Sequence, residues 1–147
     1  MECDFGLSIQ GRLEDRMGLG LPAQLESDLR VLEEQGHCIS VHRNSSNANQ
    51  IHVIFEKYSL PNGWNKKVTR LLVNTDVSYP NSKIDMFWVE PGLAIDGGKV
   101  PQAAESVETH MGQLWQRFSW HVQKWNPAVD NIITYLGTID ERLRLLQ

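Results

Sequence analysis

The chain has 147 residues, two cysteines and a formal net charge of −4, with 41% apolar and 22% charged residues. That is enough polypeptide to bury one core without disulfide or metal staples, and its apolar runs are too short to cross a bilayer as helices. Acidic and basic residues are interspersed with no basic stripe, so neither a nucleic-acid partner nor a membrane is expected.

Residues 1–20 contain Gly6, Gly11, Gly18 and Gly20 and no sustained apolar period. They read as a flexible arm in front of a single domain over 21–147. The start Met-Glu-Cys-Asp-Phe-Gly has neither the basic region nor the apolar stretch of a secretory signal, so a cytoplasmic protein with reduced thiols is expected. The first helix is predicted over 22–35. Pro22 suits a first turn, Leu21, Leu25, Leu29 and Leu32 form one stripe, and Gly36 supplies the stop.

Four strands are predicted next, over 38–42, 50–58, 68–74 and 85–90. In the second, Ile51, Val53 and Phe55 alternate with His52, Ile54 and Glu56. The joints Asn44-Ser-Ser-Asn-Ala-Asn49, Leu60-Pro61-Asn62-Gly63 and Ser78-Tyr79-Pro80-Asn81 have turn composition, which gives an antiparallel meander.

From 91 to 109 the chain carries Gly92, Gly97, Gly98 and Pro101 without a long period, and reads as an extended loop with a short hairpin at Asp96-Gly97. Asp96-Gly97-Gly98-Lys99 lacks phosphate-loop spacing and is a turn. A last helix is predicted from a cap at Asn126 and a first turn at Pro127, with Val129, Ile132, Ile133, Leu136, Ile139, Leu143 and Leu146 as its apolar face. The fold class is α+β: an N-terminal helix, a four-stranded antiparallel meander, a long irregular loop and a C-terminal helix.

This order, with Tyr79-Pro80 after the third strand and Trp125-Asn126-Pro127 opening the last helix, resembles the ubiquitin-conjugating enzymes over 21–147. Asp85-Met-Phe-Trp88-Val-Glu-Pro91 followed by Trp115-Gln-Arg-Phe-Ser-Trp-His121 resembles their bacterial branch called prokaryotic family E, found beside ubiquitin-like, activating-enzyme-like and isopeptidase genes. The resemblance carries Tyr79, Pro80, Trp125 and Pro127 over as fold markers only. It also implies a cysteine shortly before the tryptophan, because a thiolate must hold the acyl group as a thioester. Here that region reads Arg117-Phe118-Ser119, and the family's His-Pro-Asn motif is replaced by Glu90-Pro91-Gly92-Leu93.

Candidate catalytic residues are therefore Ser119 with His121 as a base, and Cys38, the one cysteine of the expected domain. Each has a plainer reading, as a packed thiol for Cys38 and a core imidazole for His121. Asp85, ahead of Met-Phe-Trp, has a catalytic reading and a commoner one as a strand-start carboxylate capping a nearby turn. Trp115, Trp120 and Trp125 recur at intervals of five, which matches neither a helix nor a sheet face. Trp115, Arg117 and Trp120 are candidates for binding a partner, and core packing competes for the tryptophans. The histidines lack zinc-site spacing, so no metal and no cofactor is expected.

The reading is a non-catalytic binding component of a bacterial ubiquitin-like modification system, whose partners by resemblance are a ubiquitin-like protein and an activating-enzyme-like protein. One alternative is an atypical acyl-carrying enzyme using Ser119 and His121 or Cys38. Another is an interaction module of the related RWD type, which the neighbouring genes would separate from the first two.

Overall fold

A computed structural model describes residues 16–121 and 124–147. The first leucine stripe forms helix α1, Ala23–Glu34, with Pro22 at its N-cap. Leu25, Leu29 and Leu32 are at most 1% exposed, and Gly36 turns the chain away at φ 100°. Most of the predicted arm, residues 1–15, lies outside the described residues. Arg16 is buried, with Nε on Glu26 at 3.0 Å and Nη2 on Glu33 at 2.7 Å, so the described chain is tied to α1 ahead of the helix itself.

The strands are β1 (Ile39–Arg43), β2 (Gln50–Ser59), β3 (Val68–Asp76), β4 (Phe87–Val89), β5 (Ser106–His110) and β6 (Gln113–Phe118). They form one sheet in the order β1-β2-β3-β4-β6-β5, and every neighbouring pair is antiparallel. The predicted meander is present, but the sheet has six strands, not four. The extra pair occupies part of the predicted loop and the segment that follows it. It turns through Met111 and Gly112, both at positive φ (54° and 74°), between the paired residues His110 and Gln113. Positive φ at both turn residues suits the twist of a two-residue hairpin.

The main core lies on one face of the sheet, where Ile39, Val53, Phe55, Leu71, Val73, Val89 and Phe118 meet the buried leucines of α1. Helix α2, Ile132–Arg144, adds Ile132, Tyr135, Leu136, Ile139 and Leu143 to that core. On the other face the cross-strand partners Ile54, Leu72 and Trp88 gather with Trp115 into a second cluster. Both faces of the middle strands are therefore apolar, which removes the clean alternation of a half-solvated sheet.

Helix α2 begins five residues later than Pro127. Asn126 instead closes a turn, accepting from Ala128 N at 3.0 Å on its side chain and from Asp130 N at 2.7 Å on its backbone. Asn131 is the N-cap, in a reciprocal capping box with Thr134. Val129 consequently falls outside the apolar face and is 64% exposed.

The loop 91–105 is not structureless. Ile95 pairs with Lys99 across Gly97 and Gly98, which forms the predicted short hairpin, and also bridges Trp64. Gln116, 4% exposed, fastens the loop to β6: its Oε1 accepts from Leu93 N at 2.9 Å, and its Nε2 donates to Leu93 O and Ala104 O, both at 3.0 Å.

Candidate functional site

The Tyr-Pro turn and the Trp-Asn-Pro segment meet in space. Tyr79 Oη donates to Asp28 Oδ2 at 2.6 Å and accepts from Ile132 N at 2.8 Å, so one hydroxyl joins α1 to the start of α2. Burial first, and then the Asp28 carboxylate, push the Tyr79 phenol far above its ordinary range, so it stays a neutral donor. Trp125 Nε1 donates to Pro80 O at 2.8 Å. Trp125 is half-buried against the main core, while Pro127 is exposed.

At the place where the resemblance implies a thiol, β6 runs out through Arg117, Phe118 and Ser119. Phe118 is fully buried, stacked on Phe87 with ring centroids 4.7 Å apart. Arg117 and Trp88 are cross-strand partners and share the opposite face. There, Glu108 Oε2 takes Arg117 Nη1 at 2.5 Å, while its Oε1 takes Trp88 Nε1 at 2.9 Å and stands 3.1 Å from His110 Nε2. The Trp88 hydrogen bond, ahead of the smaller contributions from His110 and Arg117, holds the Glu108 carboxyl below its usual range. Nothing in the sequence singled out Glu108.

Ser119 Oγ accepts from Arg117 Nε at 2.9 Å, and Ser119 N donates to Ala103 O at 2.9 Å. No hydrogen bond joins Ser119 to His121 among the described residues. His121 Nδ1 instead stands 2.8 Å from Asp85 Oδ2, across 36 positions of sequence, and its side chain is 57% exposed. Lys83 Nζ lies 3.9 Å from the same carboxylate oxygen. Asp85 is thus a partner for His121 and not merely a turn cap. It directly precedes Met86, held at φ 71° with its side chain against the second cluster.

Cys38 is 3% exposed and its sulfur is disulfide-bonded, so a reduced thiol is not found there. Trp115 is 1% exposed, with Arg70 over its ring at 5.2 Å, and offers almost no surface. Trp120 is half-buried beneath the Arg142 guanidinium, 4.9 Å from its ring centroid. Arg142 is itself 1% exposed and lies 5.3 Å from the Phe118 ring, with Nη2 on Gln102 O and Gln147 O. A lone basic residue on an apolar helix face is the signal that marks it. No group of three or more His, Cys, Asp or Glu is placed to hold a metal ion among the described residues.

The pattern of prokaryotic E2 family E matches residues 24–145. The chain belongs to that family. No curated protein and no solved structure matches it significantly. Membership in E2 family E accounts for the helix, meander and second helix as an E2-like frame and points to a ubiquitin-conjugation-like role in a bacterial system. Among the described residues, no helix is long and apolar enough to cross a membrane.

Proposed function

We propose that this E2 family E chain serves a bacterial ubiquitin-like modification system by binding its partners, a ubiquitin-like protein and an activating-enzyme-like protein, and does not itself carry the acyl group. The observation that carries this reading is the engagement of Arg117-Phe118-Ser119. The arginine is committed to Glu108 and Ser119, the phenylalanine is core, and the serine hydroxyl accepts from a guanidinium. A hydroxyl facing a cation instead of a base is poorly set up as a nucleophile. Surface for a partner is available on α1, where Val31 is 39% exposed, and on the β5–β6 hairpin, where Val107 and Leu114 are 52% and 62% exposed.

Incubation with the activating enzyme and ubiquitin-like protein of the same system, with ATP, tests the reading. Co-elution on a sizing column without a covalent adduct is the expected result. An adduct that disappears in Ser119→Ala or Cys38→Ala would overturn it. The acyl-carrying alternative draws its support from one feature, the pairing of His121 with Asp85, since a base oriented by a carboxylate is part of what an activated serine needs.

A further inference from the structure

Strand β5 ends the sheet, with β6 on one side and no further strand on the other among the described residues. The two-residue turn through Met111 and Gly112 makes His110 and Gln113 a pair that exchanges main-chain hydrogen bonds. Alternation then turns the main chain of Glu108 and Ser106 toward β6 as well, to Trp115 and Arg117. The N–H and C=O groups of Val107 and Thr109 therefore point away from the sheet, and neither residue bonds elsewhere through its backbone among the described residues. Ser119 keeps the same alternation beyond β6, since its N–H donates to Ala103 O on the β5 side. At the opposite edge, Arg43 Nη1 donates to Leu19 O at 2.6 Å, which brings the chain ahead of α1 against β1. Natural sheets blunt an open edge with lysine, proline or a bulge. Ser106–His110 has neither residue, and its register with β6 is unbroken.

We infer that β5 receives an extended, basic segment of a partner protein as a seventh, antiparallel strand of the sheet. This deepens the binding reading above and rests on it. Val107 and Thr109 each exchange an N–H and a C=O bond with the residue opposite, which continues the antiparallel order of the whole sheet. Side chains add selectivity. Val107 and Leu114, 52% and 62% exposed, are diagonal neighbours on the face that Gln116 and Phe118 share, so the residue opposite Val107 is apolar. Exposed Glu105 stands two positions before Val107, which calls for a lysine or arginine two positions after that apolar residue in an antiparallel segment. A second copy of this chain fits less well. Full antiparallel overlap of two β5 strands sets Glu108 directly opposite its own copy, and like charges so placed are destabilising.

The test uses the whole chain, labelled with nitrogen-15, and the end-blocked peptide Thr-Thr-Ile-Thr-Lys. In the free protein the amides of Val107 and Thr109 should exchange with solvent faster than that of Glu108, which faces β6. The peptide should slow that exchange and shift the same two amide signals. N-methylation of its isoleucine removes the donor to Val107 O and should weaken binding about tenfold, whereas N-methylation of the next threonine, whose N–H points away, should leave binding nearly unchanged. Glutamate in place of the peptide's lysine should weaken binding about threefold, and Glu105→Lys should reverse that preference. Unmoved Val107 and Thr109 signals at millimolar peptide, or equal binding after N-methylation of the isoleucine, would overturn strand addition; co-elution with the partner proteins would then leave the proposed function standing. Peptide binding without co-elution would instead count against the proposed partners and support the strand site. Slow exchange of both amides without peptide, with a dimer on the sizing column, would overturn the proposal in favour of a second copy.

Discussion

The indole N–H of Trp125 donates to the carbonyl oxygen of Pro80 across 45 positions of sequence. Two residues that carry over from the ubiquitin-conjugating enzymes only as fold markers are thus bonded to each other. The bond holds the chain leading into α2 against the turn that follows β3. Trp125→Phe keeps an aromatic ring in the half-buried site but leaves the carbonyl without this donor. A loss of about 1.5 kcal/mol in urea unfolding is expected, with the fold retained by circular dichroism.

Tyr79→Phe should cost more, about 2 kcal/mol. It strips a hydrogen bond from the Asp28 carboxylate, 5% exposed, and an acceptor from the buried N–H of Ile132. The Asp28→Asn change should cost less in the Tyr79→Phe background than in the wild type. A double-mutant cycle on denaturant midpoints measures that coupling, and strict additivity would count against it.

Gly63 is at φ 106°, and a Cβ there would meet Leu146 Cδ1 at 2.6 Å. Gly63→Ala combines backbone strain with displacement of Leu146 from the core edge. It should lower the melting temperature and cost about 2 kcal/mol or more. Gly97→Ala, also at positive φ but with open space around its Cβ, should cost less.

Acid should destabilise the protein through His52 and His37. Burial is the first cause lowering both, and the neighbouring His110 and His42 lower His52 further. Asn44 Nδ2 faces His52 Nε2 at 3.1 Å, and His52 Nδ1 faces Asn74 Oδ1 at 2.7 Å, an arrangement that suits a neutral ring. Both groups bind a proton more readily in the unfolded chain. Their contribution is therefore complete above the ordinary value of 6.5 and is lost as pH falls through the depressed folded values. Urea midpoints should drop between about pH 7.5 and 5.5, and His52→Gln should show a smaller drop.

The leucine stripe of α1 and the alternation in β2 placed those elements in the sequence because each presents one apolar face. The β5–β6 hairpin was hidden for two physical reasons. Its turn uses Met111 where an asparagine or aspartate before glycine would have announced it, and β6 buries Trp115 and Phe118 on opposite faces. The start of α2 was misplaced because Asn126 and Asn131 both cap something, one a turn and the other the helix. At the site, Ser119 and His121 were legible as residues but their partners were not. Arg117 and Asp85 are set by strand pairing and by a turn, which sequence spacing does not encode.

Gln116 holds the 91–105 loop entirely through backbone atoms, the N–H and carbonyl of Leu93 and the carbonyl of Ala104. The anchor is therefore indifferent to which side chains the loop displays. Substitutions along its outer surface leave these three bonds with the same partners, so a single buried amide keeps the course of the loop independent of its exposed side chains.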